Sequence, residues 1–119
     1  MKTLEGIVSF STEQLEETTS KTTVAGLMQT TRATIQKYDK LAMKYLNEYC
    51  DEYPIIDHKH LTVLPLTKYQ CWVLQKLLVE SLKYTYKGVE AKLIASDGYK
   101  DKFSFKMFST KDTKVSFSF

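Results

Sequence analysis

Only four glycines, two prolines, two cysteines and one tryptophan occur in the 119 residues of this chain. With so few glycines, no glycine-rich phosphate loop can be assembled, and no such motif is present. Two thiols do not make a disulfide framework, so Cys50 and Cys71 are expected as reduced, small, buried side chains. No apolar run approaches the roughly 20 residues of a membrane span. Glu5, Glu13, Glu16 and Glu17 crowd the first stretch, which is not signal-peptide composition, and a cytoplasmic protein is expected. His58 and His60 stand two apart, but no paired cysteine spacing accompanies them, so no metal is expected. Asp51, Glu52 and Asp57 are ordinary solvated acids beside a helix end. A binding protein that needs no cofactor is expected, and not an enzyme.

What is present suits one folded domain spanning residues 1–119. Hydrophobic residues make up 43% and charged residues 26%, enough for a core and a solvated surface. The net charge of +3 is unevenly placed. Residues 1–20 carry a net −3, residues 21–44 a net +4, residues 45–60 a net −3 and residues 61–119 a net +5. Positive potential therefore rises over residues 21–44, where a phosphate backbone would select it.

Within that basic segment, residues 22–38 are organised as two helices around a tight corner. Val24, Ala25, Met28, Ile35 and Tyr38 fall at the inner contacts, and the small Ala25 lets the helices cross closely. Thr22 or Thr23 is expected to cap the first helix, and Thr30 or Thr31 the second. Gln29 occupies the corner, where a left-handed backbone would cost a residue with a side chain roughly 1 kcal/mol.

This stretch resembles the helix-turn-helix of bacterial and phage transcription regulators, over about a seventh of the chain. The resemblance implies duplex DNA as partner, with Thr31, Arg32, Ala33, Thr34, Gln36 and Lys37 presented outward from the second helix. Arginine pairs bidentately with guanine and glutamine with adenine, while Thr and Ala methyls can touch thymine. Arg32, Thr34 and Gln36 would meet base edges, with Thr31 and Ala33 at the margin. Thr22, Thr23, Lys37 and Lys40 would hold phosphates.

Along the rest of the chain, residues 4–10 suit a short strand or arm, and Ser11 with Gln14 opens an acidic helix to about Thr19. Apolar positions from Ile35 through Leu41, Ala42 and Leu46 to Tyr49 predict one long helix, ended by Pro54, so residues 11–53 form the helix-turn-helix and its extended recognition helix. Residues 55–64 suggest one or two strands, a candidate wing whose His58, Lys59 and His60 could touch phosphate. Thr67 caps a helix to about Tyr84 that is apolar on more than one side. Trp72 and Val79 break into its polar side, which points to a homodimer or partner contact. Val89–Ala95 reads as helix or strand. Phe103, Phe105 and Met107, then Val115, Phe117 and Phe119, alternate with polar residues and predict a C-terminal antiparallel hairpin.

The expected fold is α+β: mostly helical, with an N-terminal helix-turn-helix and a C-terminal β-hairpin. The expected function is sequence-specific duplex binding and transcription regulation. Two alternatives stay open: a small phage or plasmid accessory or inhibitor protein acting through protein contacts, and a single-strand RNA or DNA binder using the hairpin aromatics.

Overall fold

A computed structural model describes residues 18–111 of the chain. The expected strand over 4–10, nearly all of the helix from Ser11 and the second hairpin arm over 115–119 lie outside them; the described end of that expected helix, Thr18–Thr19, is a strand instead. The described residues are mostly helical, with two small antiparallel sheets.

After a two-residue strand, β1 (Thr18–Thr19), the first helix α1 runs Lys21–Leu27. Its cap is Ser20, whose hydroxyl accepts from the Thr23 amide at 3.1 Å. Thr22 and Thr23 are already helical, which corrects the expected cap. At the far end the Thr30 amide reaches Ala25 O at 2.9 Å and the Gln29 amide reaches Gly26 O at 3.2 Å. This pair of bonds closes a helix by forcing one residue left-handed. That residue is Gln29, with φ 53°.

Thr31 then caps α2 (Arg32–Tyr45), its hydroxyl accepting from the Thr34 amide at 3.1 Å. The expected continuation to Tyr49 does not occur: Leu46 is extended, and a separate short helix α3 spans Asn47–Asp51. Asp39 explains the break. On a straight helix Asp39 and Tyr49 would lie about 15 Å apart along the axis, beyond a tyrosine's reach. Broken at Leu46, the chain brings the Tyr49 hydroxyl within 2.6 Å and the Tyr53 hydroxyl within 2.7 Å of Asp39 Oδ1.

A hairpin follows, β2 (Ile55–Ile56) against β3 (Lys59–His60), with Ile55 facing His60. Its two turn residues, Asp57 and His58, both have positive φ, 53° and 66°. Such a turn matches the twist of the flanking strands. β4 (Leu66–Thr67) pairs with β1 and leads into the long helix α4 (Lys68–Ala95).

The core is built around α4. Thr67 and Gln70 form a reciprocal capping box, and the buried Gln70 amide also donates to Tyr49 O at 3.3 Å. Cys71, Val73, Leu74 and Leu77 are fully buried, each larger apolar side chain contributing about 1.5–3 kcal/mol. Trp72 is 1% exposed, with Tyr69 stacked on it at 6.2 Å and Phe108 at 5.4 Å. It belongs to the core and offers no surface to a partner, which corrects the expected contact; Val79, two turns further along the helix, is half-buried.

At Thr85 the helix breaks, with φ 66° and ψ 167°. For a β-branched residue that conformation stores about 1–3 kcal/mol. The Thr85 hydroxyl caps the restart by accepting from the Gly88 amide at 3.2 Å. Gly88 suits the kink, because a Cβ there would meet Tyr84 Cβ at 3.1 Å. Val89–Ala95 is therefore helical, and Tyr86 packs edge-on against Tyr38 of α2 at 5.3 Å.

The first arm of the expected C-terminal hairpin is helical instead. Ser96 caps α5 (Asp97–Asp101), and Ser104 opens α6 (Phe105–Lys111) by accepting from the Met107 amide at 3.2 Å. Period-two spacing of Phe103, Phe105 and Met107 is overridden by a three-residue pair: Phe105 and Phe108 come within 5.7 Å and both meet Tyr69. Phe103 is fully buried and does not join an exposed aromatic sheet face.

Glu80 ties α5 to α4, accepting from Tyr99 Oη at 2.9 Å and Lys102 Nζ at 3.2 Å, with Lys83 at 3.9 Å. Burial pushes its carboxyl up, but these donors and cations outweigh it and leave the pKa below the ordinary 4.5. A carboxyl more acidic in the fold than in the unfolded chain stabilises fully above the unfolded pKa, and that contribution disappears as pH falls through the folded one. Glu80→Gln is therefore expected to flatten the acid side of the stability curve. Urea midpoints from about pH 6 down to about pH 3 check this; parallel curves for variant and parent would contradict it.

Candidate nucleic-acid interface

The buried side of α2 sets its exposed side. Ile35, Tyr38, Asp39, Leu41 and Ala42 face inward, so Arg32, Gln36 and Lys40, four residues apart, form one solvent-facing stripe. Across from it lies the loop after β3. Lys21, Arg32, Gln36, Asp39, Lys40, Met43, Thr62 and Val63 line a groove of about 220 Å³.

Arg32 is oriented from α1: one guanidinium nitrogen donates to Thr22 Oγ1 at 3.3 Å. The guanidinium fork keeps its other donors for a ligand. Thr31 and Thr34 share a hydroxyl contact at 3.0 Å, and the Ser20 hydroxyl donates to Thr23 Oγ1 at 2.9 Å. Thr22, Thr23, Thr31, Arg32, Ala33, Gln36, Lys37 and Lys40 are exposed, and Thr34 is half-buried. The Lys37 ammonium sits 4.2 Å from the Tyr86 ring centre, so the second half of α4 steadies a candidate phosphate contact.

Beneath the stripe lies a polar cluster that the sequence reading missed. Lys21 is 6% exposed; its ammonium donates to Thr62 O and lies 5.3 Å from the Tyr53 ring centre. Burial lowers its pKa, Asp39 pulls it back up and Arg32 lowers it further. Lys21 thus fastens the Thr62–Val63 loop beside α2. Asp39 anchors the same cluster from α2 through the two tyrosine hydroxyls, and burial first, then the nearby Asp39 charge, raises the Tyr49 pKa well above its ordinary value. A signal did exist: Asp39 falls on the spacing 35, 38, 39, 42 of an inward helix face, where an acid needs partners.

Cys50 Sγ lies 3.3 Å from His60 Nε2, joining α3 to the hairpin. Burial raises the Cys50 thiol and pushes Cys71 up to about 12, which keeps both protonated near neutrality. Among the described residues, no three His, Cys, Asp or Glu side chains are grouped as a metal site would require. No helix of the described residues is long and apolar enough to cross a membrane.

No family model matches the chain, and comparison with curated proteins and with solved structures gives no match.

Proposed function

We propose that this chain binds duplex DNA through α2, in the manner of a helix-turn-helix, and regulates transcription by occupying its site. The observation that carries this reading is the stripe of Arg32, Gln36 and Lys40, exposed along one edge of a helix whose other side is anchored in the core. An exposed helix edge of this kind fits a major groove about 12 Å wide. Arg32 and Gln36 meet base edges, Thr31 and Ala33 lie at the margin, and Thr22, Thr23, Lys37 and Lys40 hold phosphates. Thr34, half-buried and two positions from Arg32, lies on the far side of the helix from that edge, which corrects its expected base contact. His58 and Lys59, exposed on the β2–β3 hairpin, add phosphate contacts from the flank.

Arg32→Ala is expected to lose about 1–3 kcal/mol on the preferred duplex and to relax discrimination at one base pair. Lys40→Ala is expected to weaken all duplexes alike and to reduce the salt slope by about one. Anisotropy titrations with duplex and single-stranded oligonucleotides at two salt concentrations separate these outcomes. Preference for single strands, no binding, or both variants binding like the parent would overturn the assignment.

A further inference from the structure

We infer that the groove between α2 and the Thr62–Val63 loop binds a small phosphomonoester, and that this ligand competes with the duplex for Arg32, Gln36 and Lys40. Occupancy of the groove stands on its own lining; the competition rests on the duplex reading above.

The lining is positive and lacks carboxylate partners. Lys21, Arg32 and Lys40 bring three cations to the groove against one acid, Asp39, a formal net of +2. Asp39 is 3% exposed and gives one oxygen to both tyrosine hydroxyls. Every ion pair among the described residues lies between residues 80 and 102, so none of the three cations meets a carboxylate at ion-pair distance. Burial lowers the pKa of Lys21, Asp39 raises it and Arg32 lowers it again. An anion in the groove acts in the same direction as Asp39 and favours the ammonium.

The available donors fit a phosphate group. Arg32 gives one guanidinium nitrogen to Thr22 Oγ1, while the side chains of Gln36 and Lys40 make no hydrogen bond among the described residues. Arg32 and Lys40 stand one turn to either side of Gln36, about 6 Å along the axis, which long side chains span. A phosphomonoester carries about −1.5 to −2 charges at neutral pH and three terminal oxygens, matching both the net charge and the three donor groups. Arginine binds such a group bidentately. A backbone phosphodiester brings a single charge and leaves part of the lining unmatched.

Size and the apolar walls define the rest of the ligand. A cavity of about 150 Å³ holds benzene, so a groove of about 220 Å³ admits on the order of ten non-hydrogen atoms. Met43 and Val63 line it beside the charged groups. They suit the short carbon chain of an ester, which bare phosphate lacks.

The test titrates the full chain by calorimetry at constant ionic strength, with glycerol 3-phosphate as the monoester, dimethyl phosphate as the diester and inorganic phosphate as the bare anion. Glycerol 3-phosphate is expected to bind once per chain, about tenfold or more tighter than dimethyl phosphate, with inorganic phosphate between them. Lys40→Gln changes an exposed side chain and is expected to weaken the monoester about tenfold. Lys44→Ala removes an equal charge one turn further along α2, outside the groove, and is expected to leave its affinity within about twofold. At ten times its Kd, glycerol 3-phosphate is expected to weaken duplex binding about tenfold.

A monoester affinity no better than that of the diester or of inorganic phosphate, equal losses in Lys40→Gln and Lys44→Ala, or a bound monoester that leaves duplex affinity unchanged overturns this inference and leaves the α2 reading standing. Failure to bind any duplex overturns the α2 reading and the competition with it, while the calorimetry still decides whether the groove takes the monoester.

Discussion

Asp39→Ala is expected to destabilise the fold by about 3–5 kcal/mol, the range for breaking a buried charged network by removing one partner. Asp39 is 3% exposed, and one of its oxygens receives both the Tyr49 and the Tyr53 hydroxyl. Its loss leaves two hydroxyls without their acceptor and removes the charge that favours the ammonium of Lys21. Tyr49 is fully buried and Tyr53 is 2% exposed, so water cannot replace the carboxylate without opening the α2–α3 corner. Asp39→Asn keeps the shape and one acceptor oxygen and is expected to lose less, about 1–3 kcal/mol. Urea unfolding at neutral pH measures both. A midpoint unchanged in Asp39→Ala would mean that the cluster adds no stability and that the break at Leu46 has another cause. The consequence reaches the candidate interface, because the same cluster holds Lys21, and Lys21 holds Thr62 beside the reading edge.

Trp72→Ala is expected to cost about 3–5 kcal/mol, the usual range for emptying a large aromatic site in a core. Tyr69, Phe108 and the Lys76 ammonium lose their aromatic partner together, which loosens α6 from α4. Trp72→Phe discriminates further. Among the described residues no acceptor meets the buried Trp72 Nε1 atom, so phenylalanine removes that donor along with some volume. The smaller ring is accordingly expected to be far better tolerated than alanine. Thermal or urea unfolding gives the stability, and sedimentation velocity gives the association state. If Trp72→Ala left stability intact and changed only self-association, Trp72 would be a surface residue and the core as described would be wrong.

Several local features of residues 22–38, and one cap beyond them, could be read from neighbouring residues. Thr31 and Thr67 were recognisable as caps because a hydroxyl, the backbone amide three positions on and the following apolar rhythm are all close in sequence. The inward positions Val24, Ala25, Met28, Ile35 and Tyr38 followed from helical periodicity, and all are buried. The corner at Gln29 was locatable, and the carbonyls of Ala25 and Gly26 hold it left-handed despite the side chain. Where two local rules competed, periodicity misled. Phe103, Phe105 and Met107 alternate like a strand, yet Ser104 caps a helix and the Phe105–Phe108 pair finds Tyr69 and Trp72, aromatic partners more than thirty positions earlier. Trp72 looked out of place on its helix for the same reason: the second apolar side of α4 faces α6 of its own chain.

The amino-acid order alone determined the caps at Thr31 and Thr67, the two-helix corner, the extended character of the stretch after Pro54 and the basic character of residues 21–44, because each depends on groups within a few bonds of one another. Only the tertiary structure decided that Asp39 is buried under two tyrosine hydroxyls, that Lys21 is fastened to Thr62, and that Ile55 and Ile56 are left uncovered. Those outcomes depend on which distant surfaces meet, and a buried charge is placed only where partners from several elements converge to replace water.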